Sequence, residues 1–578
     1  MRFLGYFRSM LQIRQTEDLS PKSTYRAFFF MKYLKRLQDA RTTEDFAKLL
    51  GFKAGNVSYL IYHYSGQKYS SFQIPKKNGG TRTINAPNKE LKNLQKRLSD
   101  YLYKCLEEIH LQNNIHDTVS YGYQKNKCIY DNALIHKNRR YVFNVDLKDF
   151  FNSINFGRVR GFFINNKNFK LDPHIATLIA QTACNDNMLP QGSPLSPIIT
   201  ILIGGILDHR ILQLTHKIRC TYSRYVDDLT FSTNLKTFPP EISYIDETGK
   251  WIIGKELKKI LKTSGFEPNE KKVSMQYKDS RQTSVGLIVN KKVDVPREYY
   301  KTVRAMCNSL ITRGAFVKKD AAEDEPPTLN QLEGMLNYIF SVKSKNTNVR
   351  AKDHYPGFQN VYIDFYLYRF FFANEKPIIF TEGKTDIIYI RSALKHLKAE
   401  YPKLITPEGL LNIQLMWIND YLQFVFHISS GCSGSLKLLV QYESFLKRYK
   451  KTESKNPVFF LFDHDSGIDK IVSVYKHYDS AKDFFSTKDF SSLSVEVYKN
   501  VRFIFTHKEH DRYIEQYFDE TLLSEKINGK SFTPDNNVHD PEHYFGKQVF
   551  ATKIIKKKQD SIDYSNFRPL FDELSQYL

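Results

Sequence analysis

Cysteine is scarce, six in 578 residues, and no C-x-x-C pair occurs among Cys105, Cys128, Cys184, Cys220, Cys307 and Cys432. That spacing excludes a disulfide framework and a zinc knuckle and fits a reducing compartment, so a cytoplasmic location is expected. Long apolar runs are missing too: MRFLGYFRSMLQIRQ does not read as a signal peptide, and the run from Ile198 to Leu207 is too short to span a bilayer. Membrane insertion is therefore not expected. Repeats and low-complexity tracts are absent, and acidic residues are in deficit, 62 against 85 lysines and arginines, which leaves a net charge of +23 and a pI near 9.4. Such a balance selects a polyanionic partner, nucleic acid first.

Aromatic residues are abundant, 43 Phe and 37 Tyr, and a hydrophobic share of 41% excludes wholesale disorder. At roughly 150 residues per domain the length implies three or four compact regions. Charge is unevenly spread, with about 57 basic and about 34 acidic residues before position 373 and about 28 of each after it. Two regions with different electrostatic tasks are expected, and acidic clusters inside the basic one stand out.

The first 65 residues read as amphipathic helices, through Ala27, Phe30, Leu34 and Leu37 and again Phe46, Leu49 and Leu50. SSFQIPKKNGGTRTINAP brackets an Asn78-Gly79-Gly80 turn, a hairpin bearing Lys76, Lys77 and Arg82. A helix is predicted over 89–109, a strand over 141–145 ending at Asp146, and helices over 172–186 and 197–218 on either side of LPQGSPLSP. Two β segments meet at Asp227-Asp228; helices over 254–265 and 297–312 and strands near 273–276 and 284–289 follow. Beyond a boundary at 374–377 the predicted order is strand (377–381), helix (386–399), strand (422–428), helix (435–448), strand (457–462) and strand (501–506). This alternation predicts an α/β domain with a mainly parallel sheet.

Phosphoryl transfer onto a hydroxyl requires charge neutralisation at the attacking and leaving oxygens, which converging carboxylates provide by gathering divalent cations. Asp146, Asp227 and Asp228 are suited to this, although a helix cap and an ordinary Asp-Asp turn explain the spacing equally well. The surrounding motifs decide between these readings. FNVDLKDFF, LPQGSPLSP and YVDD stand in the order seen in reverse transcriptases, which the chain resembles over nearly all of residues 20 to 372.

The resemblance implies an α+β right-hand polymerase with fingers and palm over 66–296 and a thumb over 297–372, after an N-terminal helical region over 1–65. It implies two Mg²⁺ held by Asp146, Asp227 and Asp228. Phe151 falls where the family gates against a ribose 2′-OH, a steric discrimination that favours deoxynucleotides. Gln191 and Gly192 fall where template and incoming nucleotide are supported, the glycine leaving room for a base pair. Lys76, or alternatively Lys77, with Arg82 resembles the fingers residues that hold the triphosphate, and in GFEPNEKK either Lys271 or Lys272 lies near it. A solvated surface role stays open for each lysine.

Asn132-Ala133-Leu134-Ile135-His136 matches the N-A-x-x-H motif of bacterial retron reverse transcriptases. Where those enzymes show V-T-G, this chain has Ser284-Val285-Gly286, so the glycine is kept and the hydroxyl is displaced. That subfamily implies a structured noncoding RNA partner, priming from an internal guanosine 2′-OH, and branched multicopy single-stranded DNA (msDNA) as product. Arg297, Lys301, Arg304 and Arg313 would contact RNA, with a solvated helix face as the alternative for each.

Retron polymerases often end near the thumb, so residues 373–578 need a separate account. KPIIFTEGKTD places Glu382 after an apolar strand, and PVFFLFDHDSG places Asp463 and Asp465 after another, with Gly431 or Gly434 between them. This resembles the TOPRIM domain of topoisomerases, primases and overcoming-lysogenization-defect nucleases. It implies a Mg²⁺ site at Glu382, Asp463 and Asp465 and a nucleic-acid target; Glu515 and Lys547 are accessory candidates, and His464 is expected to point away. Retron systems imply a role in phage defence, and self-association is left open. The alternatives are another prokaryotic reverse transcriptase and a C-terminal unit that serves only as a scaffold.

Overall fold

The computed structural model describes residues 32–64, 66–76, 79–115, 119–317, 327–346, 357–449, 454–465, 467–475, 484–485, 492–509, 511–535, 538 and 540–578. Lys77, Asn78, Ala27 and Phe30 lie outside the described residues. By its contacts the chain forms two units: one runs to Arg297 and takes in Lys345 and Asn346, and the other holds Glu298 to Ser344 and the chain from 357 onward. The division falls at 297/298 rather than near 373, so the helices expected as a separate thumb pack with the C-terminal sheet.

In the first unit, α1 (Tyr33–Asp39) and α2 (Thr43–Leu50) bury Leu34, Leu37, Phe46 and Leu50, as their spacing predicts. Thr42 and Asp45 form a capping box at the start of α2, and Gly51, at φ +72°, ends it. Strands β1 (Tyr69–Pro75) and β2 (Thr81–Pro87) form the hairpin, closed by Lys76 N–H donating to the Gly80 carbonyl at 2.9 Å. The long helix α3 (Lys89–Gln112) starts where the Asn88 side chain accepts from the Leu91 N–H. Its buried Glu108 accepts from the backbone N–H groups of Lys32, Tyr33 and Leu34, where the positive end of α1 stabilises a carboxylate.

Helix α4 (Ile129–Leu134) precedes β3 (Tyr141–Lys148), a central strand of the main sheet of the first unit. Helices α5 (Pro173–Ala183) and α6 (Ser196–Lys217) follow, α6 packing on β4 (Thr221–Tyr225). With β5 (Asp228–Thr233) the strands run in the order β4-β5-β3, and β6 (Ser274–Tyr277) and the two-residue strand Glu267–Pro268 both pair with β3, making five strands, all antiparallel. Asp146 lies inside β3 rather than at its end. The strand predicted over 284–289 is only a short pair, Thr283–Ser284 with Leu287–Ile288. Helix α6 is, by length and composition alone, apolar enough to cross a membrane, contrary to the reading of its central run, but it is mostly buried inside the protein. It is a core helix, buried along most of its apolar length, with Ile206, His209 and Gln213 left on an exposed face.

The second unit begins inside α7 (Arg297–Arg313), after its first residue, and continues with α8 (Leu329–Lys343) and α9 (Gly357–Phe371). Its sheet holds β7 (Ile378–Thr381), β8 (Gln414–Trp417), β9 (Val458–Phe462), β10 (Ser494–Tyr498) and β11 (Val501–Phe505) in the order β8-β7-β9-β11-β10. Four strands are parallel, and β10 is an antiparallel edge. IIFT and VFFLF are buried along their whole length, as strands covered on both faces must be. Helices α10 (Asp386–His396), α11 (Asp420–Phe426) and α12 (Gly431–Tyr449) accompany the sheet. Phe371 of α9 stacks on Tyr442 at 4.0 Å and on Phe460 at 6.4 Å, which ties this expected thumb helix to the sheet.

The strand predicted over 422–428 is the helix α11, and the strand lies earlier, at Gln414–Trp417. Leu422, Val425 and Phe426 are buried at helical spacing, and Asn419 caps the turn by accepting from the Leu422 N–H at 3.0 Å.

Candidate functional sites: two acidic clusters

In the first unit the register of β3 with β5 sets Asp146 directly opposite Asp228, with Asp227 in the preceding turn. Directly opposed residues of an antiparallel pair share a face, so these carboxylates neighbour each other. The Asp227 carbonyl accepts from Leu147 N–H at 2.9 Å, and Val226 takes the left-handed conformation at φ +62°. For a β-branched residue this is strained by about 1–3 kcal/mol and persists only where the surroundings impose it. A Cβ on Gly122 would lie 2.8 Å from the Val226 nitrogen, so a glycine there leaves room for the turn.

Burial, followed by repulsion from Asp146, raises the Asp227 pKa, while Arg82 and Lys272 oppose the shift. Burial and then Asp227 and Asp146 push Asp228 up to about 7; its side chain still reaches solvent, so the repulsive share is the part a cation would reverse. Lys272 Nζ donates to Asp146 Oδ2 at 2.9 Å, and this bond raises the lysine. Of the two candidate lysines it is therefore Lys272 that reaches the aspartates; Lys271 is exposed beside it. Among the described residues no three histidine, cysteine or acidic side chains stand at metal-ligating spacing. Asp146 is turned to its lysine. The donor set, all carboxylate oxygen and mutually repelling, suits a hard divalent cation.

Lys76 and Arg82 are exposed on the hairpin, and Phe151 is half-buried, edge-on to Phe150 at 5.8 Å. Gly192, at φ +119°, is also required by its packing: a Cβ there would lie 2.8 Å from the Asn85 carbonyl oxygen of β2. Next to it, the Gln191 carbonyl accepts from Asn85 N–H at 2.7 Å, so this loop is docked on the β1–β2 hairpin. Buried Gln95 joins the same region by donating to Tyr69 Oη and the Thr182 carbonyl and accepting from Ser193 Oγ.

The N-A-x-x-H residues act on the sheet. His136 is fully buried between Ser232 Oγ at 2.7 Å and Ser223 Oγ at 2.8 Å, and burial holds its pKa down to about 3. Asn132 Nδ2 donates to Ser284 Oγ at 3.1 Å, so the displaced hydroxyl of Ser284-Val285-Gly286 is the partner of this motif. In the second unit Lys301, Arg304 and Arg313 are exposed on α7, which Arg297, also exposed, begins. Positions 297, 301 and 304 share one helical face.

The second unit contains a cleft of about 930 Å³ whose lining includes Glu382, Asp386, Asp463, Asp465 and Lys547. Glu382 leaves the end of β7 and accepts from Asp463 N–H at 3.3 Å, while Asp463 Oδ1 accepts from Ile514 N–H at 2.9 Å. Asp465 is exposed and accepts from Gly467 N–H. His464, between them, is buried with Nδ1 on the His507 carbonyl, pointing away as expected.

Burial, then Asp465 and Asp386, raise Glu382 to about 8; burial, then Glu382, hold Asp463 well above the carboxylate range. Lys547 lies 3.1 Å from the fully buried Glu515 and 4.0 Å from Asp463. Asp386 was missed in the sequence. It begins α10, accepts from Gly383 N–H at 2.9 Å, and is raised to about 6 by burial and then Glu515. Its E-x-x-x-D spacing from Glu382 was the available signal. Of the two candidate glycines, Gly434 has the tight contact: a Cβ would sit 1.8 Å from the Ser429 carbonyl oxygen.

Residues 74–295 match the family "Reverse transcriptase (RNA-dependent DNA polymerase)". The chain is 27% identical over 334 residues to the retron Mx65 reverse transcriptase of Myxococcus xanthus, covering 55% of this chain and 72% of that protein. It is 31% identical over 283 residues to the retron Ec73 reverse transcriptase of Escherichia coli, covering 46% and 81% respectively. A solved telomerase from Candida albicans aligns over 52% of this chain and 58% of its own, at 13% identity and a TM-score of 0.28. With the aspartates paired across the palm and this degree of identity to the Escherichia coli relative, the chain belongs to the retron reverse transcriptases.

Proposed function

We propose that the chain copies part of a structured noncoding RNA into msDNA, primed from an internal guanosine 2′-OH, and that its second unit is a TOPRIM-like, Mg²⁺-dependent nuclease effector in antiphage defence. The observation that carries the polymerase half is the β3–β5 register, which pairs Asp146 with Asp228 beside Asp227. Asp146, Asp227 and Asp228 would hold two Mg²⁺, which supply charge neutralisation at the attacking 3′ oxygen and the leaving pyrophosphate.

The chain's own groups do the rest. Lys76, Arg82 and Lys272 offer positive charge to a triphosphate, with Lys272 exchanging its carboxylate partner for phosphate. Phe151 screens the 2′ position, and Gln191 and Gly192 support the template side. Arg297, Lys301, Arg304 and Arg313 bind RNA phosphates.

The nuclease half is supported by Glu382, Asp463 and Asp465 around one cleft. Burial and then Asp465 and Asp386 raise the Glu382 carboxyl, so without a cation it tends to keep its proton; a bound Mg²⁺ would oppose that shift and leave it to serve as ligand or general acid/base. Sequencing of nucleic acid copurified with the protein tests the retron half: a branched RNA–DNA molecule supports it, and its absence in cells that express the RNA refutes it. Asp227→Ala should abolish that product. Glu382→Ala and Asp463→Ala should preserve it while removing metal-dependent cleavage; cleavage that survives both refutes the nuclease half.

A further inference from the structure

We propose that Arg224 is a positioning residue for DNA synthesis: a buried guanidinium, admitted by the absence of a side chain at Gly204, that holds the turn from which Asp227 projects. The inference rests on the reading of Asp227 as a cation-holding carboxylate.

Arg224 stands in β4, two residues before the turn, and is 1% exposed. Its Nε donates to Asp208 Oδ1 at 2.8 Å and its Nη2 to Asp208 Oδ2 at 2.7 Å, a two-pronged pair in which Tyr222 Oη also donates to Asp208 at 2.9 Å. The remaining nitrogen, Nη1, donates to the Val226 carbonyl at 3.1 Å. One planar side chain therefore connects α6 to the residue that takes the left-handed conformation. Lysine, a point donor on a flexible stem, does not reproduce this fork.

Helix α6 supplies both ends of the arrangement. Asp208 and Gly204 lie four residues apart and so face the same way. A Cβ on Gly204 would meet Nη2 at 2.6 Å and Cζ at 2.7 Å, whereas one on the adjacent Gly205 would meet nothing within 4 Å. A glycine inside a helix is unfavourable, and a buried ion pair adds little net stability, so neither feature is accounted for by folding alone. Both are accounted for by the Val226 carbonyl. The guanidinium pins it, and the lack of a side chain at Gly122, where a Cβ would lie 2.8 Å from the Val226 nitrogen, leaves the turn room. The hydrogen bond from Arg224 thus holds a conformation that valine does not adopt unaided, and Asp227 follows directly. The carboxylate direction is thus set before any nucleotide arrives.

The test uses the full chain, a DNA primer annealed to an RNA template, dNTPs and Mg²⁺. Incorporation kcat, dNTP KM, Mg²⁺ demand and Tm are measured for Gly204→Ala, Gly205→Ala, Arg224→Lys and Asp227→Ala. A misplacement on the scale of an ångström lowers kcat about 100-fold, so Gly204→Ala should fall by that order, with raised Mg²⁺ demand and a KM within about threefold of the parent. Gly205→Ala should match the parent, and Arg224→Lys should lie between.

If Gly204→Ala folds like Gly205→Ala and synthesises DNA at the parental rate, the proposal is wrong. A loss that tracks Tm with unchanged Mg²⁺ demand also overturns it, since that is a purely structural effect. Should Gly204→Ala not fold, parental kcat in Arg224→Lys refutes the proposal and a reduced kcat with raised Mg²⁺ demand supports it. Asp227→Ala separates the premise: activity there refutes the metal reading itself, whereas inactivity beside a normal Gly204→Ala refutes only the role of Arg224.

Discussion

His136 has both ring nitrogens bonded to serine hydroxyls, one on β4 and one on β5, and is sealed from solvent. It can therefore brace the palm but not meet substrate. Its pKa is held down to about 3, so the native protein keeps it neutral while the unfolded chain protonates it near the ordinary value of 6.5. The unfolded state thus binds more protons below that value, and stability falls as pH drops from 6.5 toward 3, by at most about 1.4 kcal/mol per pH unit from this group. Chemical denaturation between pH 7 and 5 should show this slope, and His136→Gln should flatten it while lowering stability at pH 7. Glu382 runs the other way. Raised to about 8, it keeps a proton that the unfolded chain loses near 4.5, so its contribution to stability declines as pH rises between those values. Glu382→Gln should remove that decline, read by denaturation of the metal-free protein from pH 5 to 8.

At the scale of elements, chain reversals and close approaches control placement. Gly434 opens the second turn of α12 beneath the Ser429 carbonyl, and Gly434→Ala forces the helix and loop apart. Overpacking of this kind costs about 1–3 kcal/mol, which at about 2–4 °C per kcal/mol should lower the Tm of the second unit measurably. Primer extension by the same variant should remain close to parental. The hairpin, the palm strands, and β7, α10, α12, β9 and β11 were legible in the sequence, because apolar periodicity and Asn-Gly-Gly or strand-end acidic signals agreed. Residues 422–428 were misread since Leu422, Phe424, Phe426 and Ile428 also alternate by two, and the helix is decided by the Asn419 cap. The true strand, Gln414–Trp417, is a half-covered edge without a clear pattern. Lys271 and Lys272 are equivalent in sequence, and only the short helical turn over Glu270–Lys272 aims one of them at Asp146.

For the whole molecule, the charge imbalance is the dominant long-range property. With the excess confined to the first two thirds, affinity for RNA should be strongly salt-dependent, falling about 10³–10⁵-fold from 50 to 200 mM if 6–10 phosphates are contacted. Replacing Lys301 and Arg304 together by alanine should reduce the log–log salt slope by about two, whereas a pair of substitutions on an uninvolved surface should not. Filter binding of a structured RNA across a salt series reads both.

Composition and local pattern pointed to a polyanionic partner and to two sets of carboxylates at or near strand ends and turns, and the order of FNVDLKDFF, LPQGSPLSP and YVDD carried the resemblance of the first set to a polymerase motif series. These are properties of residue type and short-range spacing, which a linear chain displays openly. Partnerships across long separations were decided only in the tertiary structure: Asn132 with Ser284, Arg224 with Asp208, Lys547 with Glu515, and the packing of the 357–371 helix on the second sheet. Each depends on which faces meet once the backbone is folded, and on desolvation that makes one buried partner far more favourable than any exposed one.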